Sequence, residues 1–106
     1  MSGPLRIATV GVGHLGRHHA RLLASLAGVQ FVAAVDLVTE RAQTAIAGTS
    51  AEALEDYRAL FGRVDAVTVA VPTVDHLRVA EADVETQIFP DSRGVAPIAG
   101  LFRRTA

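Results

Sequence analysis

Apolar residues in this chain fall into two alternating patterns. One is the short, nearly continuous run: Leu5 to Val10, Val29 to Asp36 (mostly apolar, ending in an acid) and Asp65 to Val71. Such runs read as strands buried on both faces, and the β-branched content of the third strengthens that reading. The other is apolar spacing of three and four, with Leu15, Leu22, Leu23 and Leu26 as the inward stripe of a helix over 15–26. Arg17, His18 and Arg21 then face outward, and Gly28 terminates the helix. A second helix is predicted over Thr39 to Ala47, N-capped by Thr39 and stopped by Gly48.

Between Ser50 and Phe61 two readings compete. Propensity alone makes Ala51 to Leu60 one helix. Alternation of layers favours a short strand at Ala53-Leu54-Glu55, then a short helix from Tyr57 to Phe61 capped by Asp56. After Val71, Pro72 ends the strand, and Thr73-Val74-Asp75-His76 opens a helix carrying Leu77, Val79 and Ala80. Past Asp83 the pattern fails. Glu85 to Phe89 reads as a possible strand, Pro90 to Gly94 is turn chemistry, and Pro97 to Ala106 has no clear period.

The junction of the first strand and helix carries the chemistry. Val10-Gly11-Val12-Gly13-His14-Leu15-Gly16 is a strand end, a glycine turn and a helix start. This is the layout of a dinucleotide-binding fingerprint. Gly11 would make the tight turn, Gly13 would admit a pyrophosphate, and Gly16 would let the helix pack closely. The helix N–H groups and dipole would face the phosphates. Asp36 stands 20 residues after Gly16, at the spacing of the acid that binds the adenosine ribose hydroxyls. It favours NAD over NADP by repelling a 2′-phosphate, although Arg41 nearby is a group that can accommodate one. The plainer role for Asp36 is capping the next helix. Ligands in doubly wound sheets lie at strand carboxyl ends, so Pro72 to His76 would line the same crevice.

Composition narrows the classes. The 106 residues suffice for one small domain, 50% hydrophobic and 5% aromatic, with net charge −1. Nothing there points to nucleic acid or an anionic membrane. No apolar run approaches the roughly 20 residues of a bilayer span, and the N-terminus lacks signal-peptide order. The chain has no cysteine, which excludes cysteine–zinc sites and fits a cytoplasmic protein. No lysine is present, and all ten basic residues are arginine, which is a poor substitute in proton transfer. His14, His18 and His19 lack a completing acid, so metal binding is not expected. His76 is equally readable as a cofactor contact and as an ordinary first-turn polar residue. Glu52, Glu55 and Asp56 read as a solvated face and a cap.

The glycine loop with Arg17-His18-His19-Ala20-Arg21, then Ala34-Val35-Asp36, Asp56-Tyr57-Arg58, Asp65-Ala66-Val67, and Val71-Pro72-Thr73 with His76, resembles the cofactor domain of the Gfo/Idh/MocA oxidoreductases over about residues 5–83. The resemblance implies an NAD(P)-dependent enzyme that moves a hydride between nicotinamide and a sugar, polyol or sugar-nucleotide alcohol. It assigns Gly11, Gly13, His14, Leu15 and Gly16 to the pyrophosphate loop and Asp36 to the ribose. Val71, Pro72, Thr73 and His76 fall beside the nicotinamide half. The family's Glu-Lys-Pro signature and its substrate domain are missing here.

The expected fold is therefore α/β: a Rossmann-type three-layer domain with a mainly parallel sheet, incomplete at its C-terminal side. Residues 1–83 form the dinucleotide-binding part and 84–106 an atypical tail. The expected capacity is binding of NAD, with turnover by this chain alone not expected. Two hypotheses account for the departure: a reading frame lost near Ala82, or a short nucleotide-binding subunit completed by a partner chain. The competing readings are a non-enzymatic binding module or inert fragment, and an S-adenosylmethionine methyltransferase, disfavoured by the glycine spacing and the Pro72-Thr73…His76 segment.

Overall fold

The computed structural model describes residues 3–11, 14–70, 88, 95–98 and 101–104, with residues 14, 15, 95–98 and 101–104 described by backbone alone. In chain order the elements are β1 (Leu5–Val10), α1 (His14–Ser25), β2 (Val29–Val35), α2 (Thr39–Ile46), β3 (Glu52–Leu54), a 3-10 turn (Tyr57–Leu60), β4 (Ala66–Val69), β5 (Val95–Ile98) and β6 (Leu101–Arg104). They form one sheet in the order β3-β2-β1-β4-β6-β5. The first four strands run parallel, so each return needs a crossover, and α1, α2 and the 3-10 turn lie in those crossovers.

Side chains alternate between the sheet's two faces. Ile7, Phe31, Ala34 and Ala66 join Ala20 and Leu23 of α1 and Ala42 of α2 on one face. Ala8, Ala33, Val35, Val67 and Val69 meet Leu60, Val64 and Ile88 on the other. The result is three layers around the four parallel strands of a mixed sheet. Val32 has no partner in the β1–β2 register, which passes from Ile7↔Phe31 to Ala8↔Ala33. This bulge puts Val32 and Ala33 on the same face, and β2 keeps both faces apolar across it.

Three local expectations are corrected. Leu22 and Leu26 of the expected inward stripe are 59% and 52% exposed. Among the described side chains the buried face of α1 is Gly16, Ala20 and Leu23, with the two small residues where the helix lies closest on the strands. Thr39 does not cap α2. The cap position is Val38, which has no side-chain cap bond, and Thr39 is already helical. Pro97 to Ala106 is not patternless: it holds most of the β5–β6 hairpin, with Pro97 opposite Phe102. Side-chain period fails there because pairing of the backbone, on β4 and within the hairpin, defines those strands.

Other expectations hold. The short strand near Ala53 exists as Glu52–Leu54, and the Asp56 carboxylate accepts the Arg58 N–H at the start of the 3-10 turn. Gly28 and Gly48 carry the positive φ of helix terminators. Of the possible strand at 85–89 only Ile88 is described, in helical rather than extended backbone. The helix expected after Pro72 lies outside the described residues.

The base of the sheet is clamped by Arg6 and Asp65. Arg6 Nη2 meets Asp65 Oδ1 at 3.0 Å, and its Nε and backbone N–H both donate to Oδ2. The carboxylate thereby holds the Arg6 guanidinium above its ordinary pKa.

Candidate dinucleotide-binding site

The ends of four parallel strands are brought level by register. Val10 pairs with Val35 on one side and Val69 on the other, and Val35 pairs with Leu54. Backbone bonds then continue the ladder beyond the strands. The Gly11 N–H donates to the Val35 carbonyl at 2.7 Å, Ala70 N–H to Val10 at 3.1 Å, and Asp36 N–H to Leu54 at 3.1 Å.

Gly11 turns the chain with φ +83°, a region that side chains with a Cβ rarely adopt. A Cβ there would also stand 2.6 Å from the Ala70 carbonyl oxygen. At Gly16 a Cβ would run into the Gly11 carbonyl oxygen. The turn is thus held between the end of β4 and the first turns of α1. Both expected glycine roles at the helix–strand contact are visible in these approaches. The turn leads to α1, which begins at His14 and has no acidic residue in its first turn. Its positive dipole end is left uncompensated by the helix itself.

Asp36 is half-buried at the end of β2. Its Oδ1 accepts the Val38 N–H at 2.8 Å, closing a tight turn ahead of α2. This bond fixes the carboxylate's direction. Leu37, between them, is 87% exposed. Arg41 is exposed in the first turn of α2.

A polar pair lies among the buried apolar residues of β1 and β4. Thr9, fully buried, and Thr68 have hydroxyl oxygens 3.0 Å apart. His19 on α1 is half-buried, and its Nδ1 is enclosed without a hydrogen-bond partner among the described residues. Among the described residues no group of three His, Cys, Asp or Glu could hold a metal ion, and no helix is long and apolar enough to cross a membrane.

Of the residues singled out by sequence, Gly11, Gly16 and Asp36 converge at the ends of β1 and β2, with the backbone of His14 and Leu15 in the first turn of α1. Gly13, Val71, Pro72, Thr73 and His76 lie outside the described residues. Two neighbours of these residues escaped sequence reasoning. Ala70, whose carbonyl sets the limit on Gly11, reads as strand filler. Leu37 carries a signal in hindsight, since an apolar residue directly after a strand-end acid has no core to enter.

This geometry has counterparts among known proteins. A model of an oxidoreductase family with an NAD-binding Rossmann fold, Gfo/Idh/MocA, matches residues 5–89. UDP-N-acetylglucosamine 3-dehydrogenase of Acidithiobacillus ferrooxidans is 36% identical over 84 residues, covering 79% of this chain and 26% of that protein. A crystal structure of a myo-inositol dehydrogenase from Corynebacterium glutamicum superposes with TM-score 0.64 at 31% identity, over 80% of this chain and 26% of its own. The scyllo-inositol dehydrogenase of Lactobacillus casei, solved with NAD(H) and scyllo-inositol, gives 0.64 at 26% identity, over 79% of this chain and 26% of its own. The chain spans about a quarter of the length of these relatives. With the family pattern running through residues 5–89, the chain belongs to the Gfo/Idh/MocA oxidoreductase family and carries its NAD-binding Rossmann domain.

Proposed function

We propose that this chain binds NAD in the crevice at the carboxyl ends of β1, β2 and β4. The observation that carries the reading is the cradle at Gly11 and Gly16, where added Cβ atoms would strike backbone oxygens. Such a turn leaves backbone N–H groups accessible to a pyrophosphate ahead of a helix N-terminus. In this reading Gly11, Gly13, His14, Leu15 and Gly16 form the pyrophosphate loop. Asp36 accepts the ribose hydroxyls, aimed by its bond from Val38, and Leu37 offers the adenine an apolar surface. The resemblance to the family assigns Val71, Pro72, Thr73 and His76 to the nicotinamide half.

The carboxylate of Asp36 supports NAD over NADP, because a 2′-phosphate would meet it at close range. Bound nicotinamide supplies hydride transfer, and the names of the relatives point to sugar-like alcohols as the reacting partner. The residues here bind and orient the cofactor. A chain without lysine has no counterpart to the family's proton-transferring residue. The stretch described here supplies the cofactor-binding part of the family's reaction. Cytoplasmic residence, where nicotinamide cofactors are abundant, agrees with the cysteine-free sequence.

Calorimetric titration of the purified chain with NAD, NADP and S-adenosylmethionine tests the reading. Saturable NAD binding is expected, with NADP weaker. Asp36→Ala removes charge-assisted hydrogen bonds worth about 1.5–3 kcal/mol, so NAD affinity should fall roughly 10- to 100-fold while the NAD preference over NADP shrinks. Absence of NAD binding, or binding indifferent to Asp36→Ala, overturns it.

A further inference from the structure

Among the described strands, β4 is the parallel strand whose second edge is taken by a strand of opposite direction. β1 pairs with it in parallel, and β6 covers the other edge antiparallel through Ala66↔Arg103, Val67↔Phe102 and Thr68↔Leu101. The family match ends at residue 89, before this hairpin begins at Val95. The covering strand therefore lies beyond the stretch that the family pattern matches.

Without β6, β4 would be a sheet edge of unusual stickiness. Ala66, Val67 and Val69 are 0%, 0% and 5% exposed, and the strand has no charge, proline or glycine. Sheet proteins avoid such edges because another strand adds to them. The two actual edges of this sheet are blunted. β3 has three residues. β5 carries Pro97, which has no N–H to offer a newcomer.

We propose that the 95–104 hairpin is a strap that masks a self-association edge, and that with the strap lifted β4 of one copy pairs antiparallel with β4 of a second copy. The second copy is the fitting occupant for two reasons. The pairing with β6 demonstrates that this edge accepts an antiparallel strand over three residue pairs. A two-fold axis brings two identical edges together in that antiparallel sense, and β4 is itself an apolar strand of matching length.

Light scattering after size exclusion, comparing the full chain with a chain ending at Gly94, tests this. The shortened chain should double its mass relative to the full chain, return to half on dilution, and keep the Val67 amide protected from hydrogen exchange. A folded shortened chain whose mass matches that of the full chain overturns the proposal. A second variant decides the matter if the shortened chain does not fold. Ala66→Cys with Arg103→Cys bridges the β4–β6 register, and no other cysteine exists to compete. On mild warming the reduced form should associate and the oxidised form should not. Failure to form the intramolecular disulfide, or equal association of both forms, refutes the strap.

Discussion

Replacing Gly11 by alanine separates two physical effects that coincide at this turn. The first is conformational: at φ +83° an L-residue is strained by about 1–2 kcal/mol. The second is steric: the new Cβ stands 2.6 Å from the Ala70 carbonyl oxygen. That oxygen belongs to backbone tethered by the Ala70 N–H bond to Val10. Relief requires moving the end of β4, an overpacking effect of about 1–3 kcal/mol. The sum, about 2–5 kcal/mol, is a large part of the ~5–15 kcal/mol that holds a small domain together. Gly28→Ala is the matched control. Its φ is +78° with nothing within 4 Å of the added carbon, so it carries strain alone. The gain from restricting the unfolded chain, about 0.4–1 kcal/mol, is common to both variants and cancels in the difference. Urea unfolding of the two should therefore differ by about 1–3 kcal/mol, with Gly11→Ala the weaker and the denaturant slope unchanged. Equal midpoints would mean that the turn does not press against Ala70, and the close-approach argument for the loop would fail.

Further outcomes follow from the polar contacts. Thr9→Val should destabilise by about 1 kcal/mol by leaving the Thr68 hydroxyl without its partner, and the Thr9→Val/Thr68→Val double variant should recover most of that in thermal melts. Asp65→Ala removes three hydrogen bonds from Arg6. Because both side chains are partly exposed, the loss in chemical denaturation should be about 0.5–2 kcal/mol, exceed that of Arg6→Ala, and leave a coupling that shrinks in high salt. The Asp56 carboxyl is held below the usual carboxylate range by its side-chain bonds from Arg58, then by the Arg58 N–H. Its folded pKa is depressed, so its contribution is present above the unfolded value and fades as pH falls through the folded value. Carboxyl carbon shifts in an NMR titration should show Asp56 titrating below free aspartate, and Arg58→Ala should return it towards the ordinary range.

The elements legible in the sequence share a physical basis. β1, β2 and β4 are buried on both faces, so nearly every position must be apolar, and an unbroken apolar run announces that state. Asp56 and Gly28 were readable because a cap and a positive φ each demand few residue types. The inward face of α1 was misread because hydrophobic spacing finds large residues. This helix approaches the sheet so closely that glycine and alanine fill its contact, which pushes Leu22 and Leu26 outward. The start of α2 was misread because Thr39 is a good capping residue in isolation. Asp36 competes for the same turn by binding the Val38 N–H first, and the helix then begins at Thr39 itself. The hairpin was illegible because its place in the sheet rests on backbone pairing with a strand more than thirty positions earlier, to which no local period refers. In the site, Gly11, Gly16 and Asp36 were readable from spacing, whereas Ala70 acts through its carbonyl, which every residue possesses.

β4 joins these observations. Its carboxyl end supplies the Ala70 carbonyl against which the glycine turn is built, its parallel edge aligns β1 so that Gly11 emerges level with Val35, and its other edge is closed by the hairpin. A strand with four residues has few bonds of its own to hold its end in place. Pairing on both edges restrains it far better than pairing on one, because fraying of an edge strand is opposed by a single ladder. An added carbon at Gly11 would stand 2.6 Å from the Ala70 carbonyl oxygen, so the place of that carbonyl decides the room at the turn. The hairpin closes the sheet beyond β4 and turns an edge strand into a central one, and a strand held on both edges is the firmer wall for a turn that has no room for a side chain.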